Sequence, residues 1–153
     1  MEVNYLASPR IIVSSLQITA LLMKYSQLLG LLACIGEIIA SFMPWVFVAE
    51  KHLLISGINE AVPNFGKPGM FNIVLSTIIG ILFIIPKIWA KRTNVFIAAI
   101  NLAWSFRNYL VITACRAGEC PEKRAGIYLL LCLSVFILLM SFLPSIKVPA
   151  QKE

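Results

Sequence analysis

Four long apolar stretches dominate the chain, and short polar segments that hold most of the charged residues separate them. A helix needs about 20 mostly apolar residues to cross the hydrocarbon core of a bilayer. Because a lipid-exposed backbone has no water to satisfy its polar groups, such stretches are predicted to be helices. The four predicted spans are residues 27–49, 70–90, 94–115 and 126–146.

Short connections at 91–93 and 116–125 predict that neighbouring helices run antiparallel. We therefore expect an all-α integral membrane protein, an up-down four-transmembrane-helix bundle over residues 23–147 with a tail at 148–153. The first outer connection, 50–69, is longer, and loops of that length are often functional. Its apolar segment 52–56 predicts a strand, so we expect a short β-hairpin in this loop.

The N-terminal segment 1–22 contains an apolar run that is too short to cross a bilayer. It is interpreted either as an interfacial helix or as an extension from a misassigned start codon, since Met23-Lys24 resembles a natural protein start. A lipoprotein signal ending at Cys34 is a third interpretation. It is disfavoured because the apolar run continues well past that cysteine.

Composition supports a membrane protein: 59% of residues are apolar and 13% are charged, whereas soluble domains have about 45–50% and about 25%. The net charge is +6, but the basic residues lie mostly at the ends of apolar runs. Without a basic face interleaved with aromatic residues, no nucleic-acid partner is expected. Aspartate is absent and the glutamates are scattered, so no metal, cofactor or catalytic residue is predicted.

More Lys and Arg residues flank the predicted side that holds both termini than the other side. By the positive-inside rule this favours cytoplasmic termini in a plasma membrane. The short loops and small size favour a bacterial source. Trp45 and Trp89 fall at opposite predicted interfaces, where aromatic side chains anchor membrane helices.

Two charged residues lie inside predicted spans, Glu37 in the first and Arg107 in the third. A charge at that depth costs several kcal/mol unless it is paired or hydrated, so each is a functional-site candidate. With Asn101 and Asn108, which share a face of the third span, they form the predicted intramembrane polar site. Three interpretations remain open: a structural Glu37–Arg107 ion pair, an unpaired Arg107 that reaches the outer interface above a protonated Glu37, and a proton- or ligand-binding centre.

Small and polar residues recur at helical spacing on the first three spans, and such residues mark helix–helix contacts in membranes. This pattern predicts that spans one to three converge and that the fourth span is the most lipid-facing. The residues concerned are Gly30, Cys34, Glu37, Ser41 and Pro44 on the first span, Asn72, Ser76 and Gly80 on the second, and Asn101, Trp104, Ser105 and Asn108 on the third.

Cys115 and Cys120 are spaced to close a small ring in the second outer loop. If that loop faces an oxidising compartment, the pair is expected to form a structural disulfide. With the sole histidine, His52, they do not make a four-ligand zinc set. Cys34 and Cys132 lie within spans and are expected to be small packing residues.

These features favour a non-enzymatic membrane protein that is an accessory, interaction or structural component. Its expected partners are the lipid bilayer and either another membrane protein or a second copy of the chain. The layout of a long first outer loop, a short second one and cytoplasmic termini is similar to that of claudin-like four-span proteins. The paired first-loop cysteines of that family are absent from residues 50–69.

Two alternatives belong to other functional classes. A small proton-coupled transporter would use Glu37; small multidrug exporters are similar in having four spans and a glutamate in the first, but their loops are tighter than 50–69. A membrane thiol oxidoreductase is the second alternative. Four-span disulfide-generating enzymes use a Cys-x-x-Cys pair, and this sequence contains none.

Overall fold

A computed structural model describes residues 9–49, 52–59, 66–115 and 120–143, with side chains from residue 25 onward. Each helix in this part of the chain packs against its neighbours in sequence, and the last returns to the first, which closes a four-helix ring. Three short strands form a sheet at one end. In chain order the elements are α1 (Pro9–Phe42), β1 (Pro44–Val48), β2 (Leu53–Ser56), α2 (Pro68–Ile84), α3 (Ile88–Ile112), β3 (Glu122–Lys123) and α4 (Ala125–Phe142).

Three of these helices are long and apolar enough to cross a membrane: α1 over Tyr25–Phe42, α3 and α4. The fourth, α2, is apolar but has only 17 residues, fewer than the roughly 20 of a full span. The prediction of four membrane-spanning helices is therefore met in part, by a mostly helical chain with three candidate spans and a small sheet.

The first predicted span extends too far, because α1 ends at Phe42 and the segment Pro44–Val48 is the strand β1. Proline disfavours helical dihedrals at the residue before it, which here is Met43. The strand sequence Pro-Trp-Val-Phe-Val is rich in aromatic and β-branched residues, which favour strands. Apolarity alone did not separate this strand from the helix before it.

The predicted boundary between the second and third spans is wrong. Helix α2 ends at Ile84 and α3 already begins at Ile88, so residues 91–93 lie within α3 rather than in a connection. The break falls at Pro86, whose ring clashes with the preceding helical turn and which has no N–H to donate.

The two chain ends are described only in part. The predicted fourth span, 126–146, agrees with α4 at its start, and residues from 144 onward, including the tail 148–153, lie outside the described residues. Of the predicted extension 1–22, residues 1–8 also lie outside them, whereas the backbone from Pro9 continues unbroken into the rest of α1.

The sheet has the strand order β2-β1-β3, and both pairings are antiparallel. Val46 of β1 lies opposite Ile55 on one side and Lys123 on the other. The predicted strand at 52–56 is therefore confirmed within a residue, but its partner comes from the end of the predicted first span. Because β3 comes from the second outer connection, the sheet joins both connections into one cap over the helix ends.

Trp45 lies inside this cap with its side chain fully buried, so it is not the exposed aromatic anchor that the sequence predicted. Its side chain is 0% exposed, and its Nε1 donates a hydrogen bond to the carbonyl of Ala40 at 2.9 Å. It shares a buried cluster with Ile127 and Leu130 of α4. Trp89, by contrast, is 69% exposed on α3.

Helix α4 is more buried than α3, although the sequence predicted that it would be the most lipid-facing of the four. In α4 39% of the residues are buried, against 22% in α3. Large apolar side chains such as Leu130 and Ile137 face the interior of the ring. Hydropathy does not reveal this, because lipid tails are as apolar as a protein core.

Gly126 provides the close contact between α4 and the sheet. A Cβ atom at Gly126 would lie 2.6 Å from the carbonyl oxygen of Pro44, whereas one at Gly80 would meet Leu31 at an ordinary 3.5 Å. We expect Gly126→Ala to lower the free energy of unfolding by about 1–3 kcal/mol through overpacking. Gly80→Ala is the matched control and should be neutral or slightly stabilising, since alanine is the better helix former. Thermal unfolding in one detergent compares them, and equal midpoints would contradict this contact.

Candidate functional site

The Glu37 carboxylate is the centre of a buried polar cluster inside the helix ring, and its side chain is 0% exposed. Asn101 of α3 donates from Nδ2 to both carboxylate oxygens, at 2.9 Å and 2.8 Å. Ser76 of α2 donates from Oγ to Oε2 at 2.8 Å. Three helices therefore meet at a single carboxylate.

A second set of polar side chains surrounds these contacts. Asn72 Nδ2 donates to Ser105 Oγ at 2.7 Å and to Asn101 Oδ1 at 3.1 Å. Asn72 Nδ2 and Ser105 Oγ each also reach Glu37 Oε1 at 3.5 Å. Asn108 Nδ2 donates to Asn72 Oδ1 at 3.2 Å. We call this set the Glu37 network; its members are Glu37, Asn72, Ser76, Asn101, Ser105 and Asn108.

Local helix geometry explains why these residues meet. Asn72 and Ser76 are four residues apart on α2, and on α3 Ser105 follows Asn101 by four residues and Asn108 follows Ser105 by three. Residues three and four apart lie on one face of a helix, so each helix presents one polar stripe. Both stripes face α1, where Glu37 is the buried acceptor.

Every partner of Glu37 in the network is a neutral amide or hydroxyl group, and within the described chain no cationic side chain forms an ion pair with it. A buried charge is costly unless hydrogen bonds compensate for the lost water. Here the compensation comes from oriented neutral donors. Chemically, the arrangement can hold a carboxylate in a water-poor interior, and the same carboxyl group can carry a proton.

Arg107, which the sequence placed in the polar site, lies elsewhere. It is exposed, and its guanidinium carbon lies 4.8 Å from the centroid of the Trp104 ring. Trp104 in turn contacts the ring of Phe71 and donates from Nε1 to the carbonyl of Pro68 at 3.1 Å. Successive helical residues are rotated by about 100°, so the residue before Asn108 points away from the network. The structure thus brings Glu37, Asn101 and Asn108 together and leaves Arg107 outside.

Sequence reasoning did not assign Asn72, Ser76 and Ser105 to the site, although it placed them at helix contacts. Their i, i+4 spacing was the available signal. The sequence did not give their common level along the helix ring, because the end of α2 and the start of α3 were misplaced around Pro86.

The cysteines are arranged as predicted in the second outer loop, where Cys115 and Cys120 form a disulfide with their Cα atoms 4.3 Å apart. The loop residues between them, 116–119, lie outside the described residues. Cys34 is buried and Cys132 is exposed, and both are free thiols. Among the described side chains, no group of His, Cys, Asp or Glu is arranged to hold a metal ion.

No protein-family model, no curated protein and no solved structure matches this chain.

Proposed function

We propose that this chain is a non-enzymatic multi-pass membrane protein that serves as an interaction or structural subunit, with the Glu37 network as its structural polar core. The supporting observation is that no buried polar side-chain atom of the network lacks a hydrogen-bond partner. Among the described side chains, the two buried polar atoms without a hydrogen-bond partner belong to Lys91 and Asn94, and neither is part of it. A cluster whose buried polar atoms already have partners within the protein stabilises a fold better than it captures a substrate.

In this proposal all four helices lie in the bilayer. Helix α2 has 17 residues, which at a rise of about 1.5 Å per residue gives roughly 25 Å, and local thinning of the bilayer accommodates a helix of that length. Large apolar side chains are exposed on each helix, including Ile39, Ile81, Phe96 and Leu139. Lipid tails would cover them.

We place the sheet and the disulfide on the outer side of a plasma membrane, with cytoplasmic termini in a bacterial cell. Support comes from the Cys115–Cys120 disulfide, because such bonds persist in oxidising compartments. The distribution of Lys and Arg along the sequence favours the same orientation.

The proposed contact surface is strand β2, which lies at one edge of the described sheet. An edge strand carries backbone groups that no neighbouring strand pairs. Leu53 and Leu54 of this strand are 40% and 53% exposed, and they would contact a partner outside the bilayer. That partner is another membrane protein or a second copy of this chain.

The test is purification of the tagged chain from its native membrane in mild detergent, followed by mass spectrometry. We expect the wild-type chain to be recovered with a stoichiometric partner protein or as a dimer. Leu54→Glu should lose this partner, because it places a negative charge in the apolar contact surface. Glu122→Gln, on the opposite edge strand β3, is the matched control and should retain the partner. Recovery of the wild-type chain as a lone monomer would contradict the proposal.

A proton-coupled transporter is the second candidate, and the absence of a cationic partner for Glu37 within the described chain favours it. Such a carboxyl group can take up a proton without breaking an ion pair. Proteoliposomes with an imposed pH gradient distinguish the two candidates. Proton flux that disappears in Glu37→Gln would support the transporter, and flux equal to that of empty liposomes would support a structural role.

A further inference from the structure

A second buried polar site lies at the end of the helix ring opposite the sheet. Lys91 and Asn94 on the first turns of α3 line a small cavity together with Ser26 and Gln27 of α1, Phe83 at the end of α2 and Ser141 near the end of α4. The cavity measures about 10 Å³, close to the space that one oxygen atom requires.

Two polar atoms that line this cavity have no partner. Lys91 Nζ and Asn94 Oδ1 are buried, and within the described chain they are the side-chain atoms left without a hydrogen bond. Asn94 is only 2% exposed. Because an unsatisfied buried donor or acceptor is costly, an occupant is expected. One atom donates and the other accepts, so the occupant must offer both an acceptor and a donor.

The surroundings indicate where this occupant comes from. Lys87 and Arg92 are exposed cations beside Lys91, and Trp89 is 69% exposed. Basic residues and an exposed tryptophan at the end of an apolar helix are typical of the bilayer–water interface. Phosphate oxygens of phospholipids are the abundant acceptors at that depth, and basic residues attract anionic lipids there.

We propose that Lys91 and Asn94 bind the headgroup of an anionic phospholipid that carries hydroxyl donors, of the phosphatidylglycerol type. A headgroup hydroxyl enters the cavity, where its oxygen accepts from Lys91 Nζ and its hydrogen is donated to Asn94 Oδ1, while the phosphate stays at the mouth of the cavity as the counter-ion of the ammonium group. A water molecule would also fit and would satisfy both atoms, but it would leave the ammonium charge without a counter-ion. This site is separate from the Glu37 network, and it rests on the part of the proposed function that places the helices in a bilayer.

Native mass spectrometry of the purified full chain tests the site by titration with phosphatidylglycerol and phosphatidylcholine. Phosphatidylcholine has the phosphate but no net charge and no headgroup donor. We expect a clear preference for phosphatidylglycerol in the wild-type chain. Lys91→Met keeps the length of the side chain and removes one charge-assisted contact, so affinity should fall by about tenfold or more. Lys87→Met is the matched control, because Lys87 does not line the cavity, and it should keep the preference.

Asn94→Leu provides an independent variant. It should lower the affinity for phosphatidylglycerol towards that for phosphatidylcholine, because it removes the acceptor of the headgroup hydroxyl, and the attraction of Lys91 for the anionic headgroup should keep part of the preference. Equal binding of the two lipids by the wild-type chain, or an unchanged preference in Lys91→Met, would overturn the proposal and leave water as the occupant. Inorganic phosphate is the remaining probe. If millimolar phosphate displaces phosphatidylglycerol completely, a free anion and not a lipid is the ligand, and the proposal fails.

Discussion

Replacing Glu37 with alanine is expected to lower the free energy of unfolding by about 3 kcal/mol or more. Asn101 Nδ2 would lose both of its carboxylate acceptors and Ser76 Oγ would lose its only recorded one. Both groups would remain buried without that acceptor, because Ser76 and Asn101 are themselves fully buried. Thermal and denaturant unfolding in detergent micelles would measure the loss. Glu37→Gln keeps one acceptor oxygen and should lose less.

Two substitutions serve as controls for this prediction. Thr77→Val lies next to Ser76 on α2, but Thr77 is exposed and its hydroxyl donates to the carbonyl of Ile73. Arg107→Gln alters the other charged residue that the sequence placed in the site. Both should change stability by less than about 0.5 kcal/mol, as is usual for exposed positions. A loss in Arg107→Gln as large as that in Glu37→Ala would instead indicate an ion pair.

Trp45→Ala is expected to cost about 3–5 kcal/mol, because it removes the largest fully buried side chain described and leaves a cavity beneath the sheet. It also removes the hydrogen bond to the carbonyl of Ala40. Unfolding midpoints would give the loss in stability. Backbone hydrogen exchange would show whether β1 and β2 lose protection before the helices do.

Trp89→Ala is the matched control for this change. The residue type and the substitution are the same, but Trp89 is 69% exposed on α3, so no buried cavity forms. Its effect in detergent should be small. If the two tryptophan variants were equally stable, the sheet would not be packed on the helix ends as described.

These stability variants also separate the proposed functions. If the Glu37 network is structural, Glu37→Gln should reduce partner recovery only in proportion to the loss of folded protein. Leu54→Glu should abolish partner recovery with stability unchanged, because Leu54 is exposed. A transporter would show the opposite pattern, with Glu37→Gln stable and inactive.

The sequence predicted the helical elements because apolar length and backbone hydrogen bonding restrict them strongly. It also predicted that Glu37, Asn101 and Asn108 lie in the interior, since polar side chains in an apolar helix avoid lipid. The disulfide and the strand at 52–56 follow from local spacing and pattern in the same way. The helix break at Pro86 had a clear local signal that the apolar run obscured.

Only the tertiary structure decided which groups meet. Position along a helix does not fix the direction of a side chain, so Arg107, one residue before Asn108, faces Trp104 instead. Trp45 is buried because strands from two separate connections pair over it, and no local pattern encodes a pairing between distant segments. The unpartnered atoms of Lys91 and Asn94 become visible only once three helix ends enclose them. The sequence thus determined the helices, the strand and the polar stripes. Packing determined which side chains meet, because that depends on the rotation of each helix about its axis and on the pairing of strands that are distant in sequence.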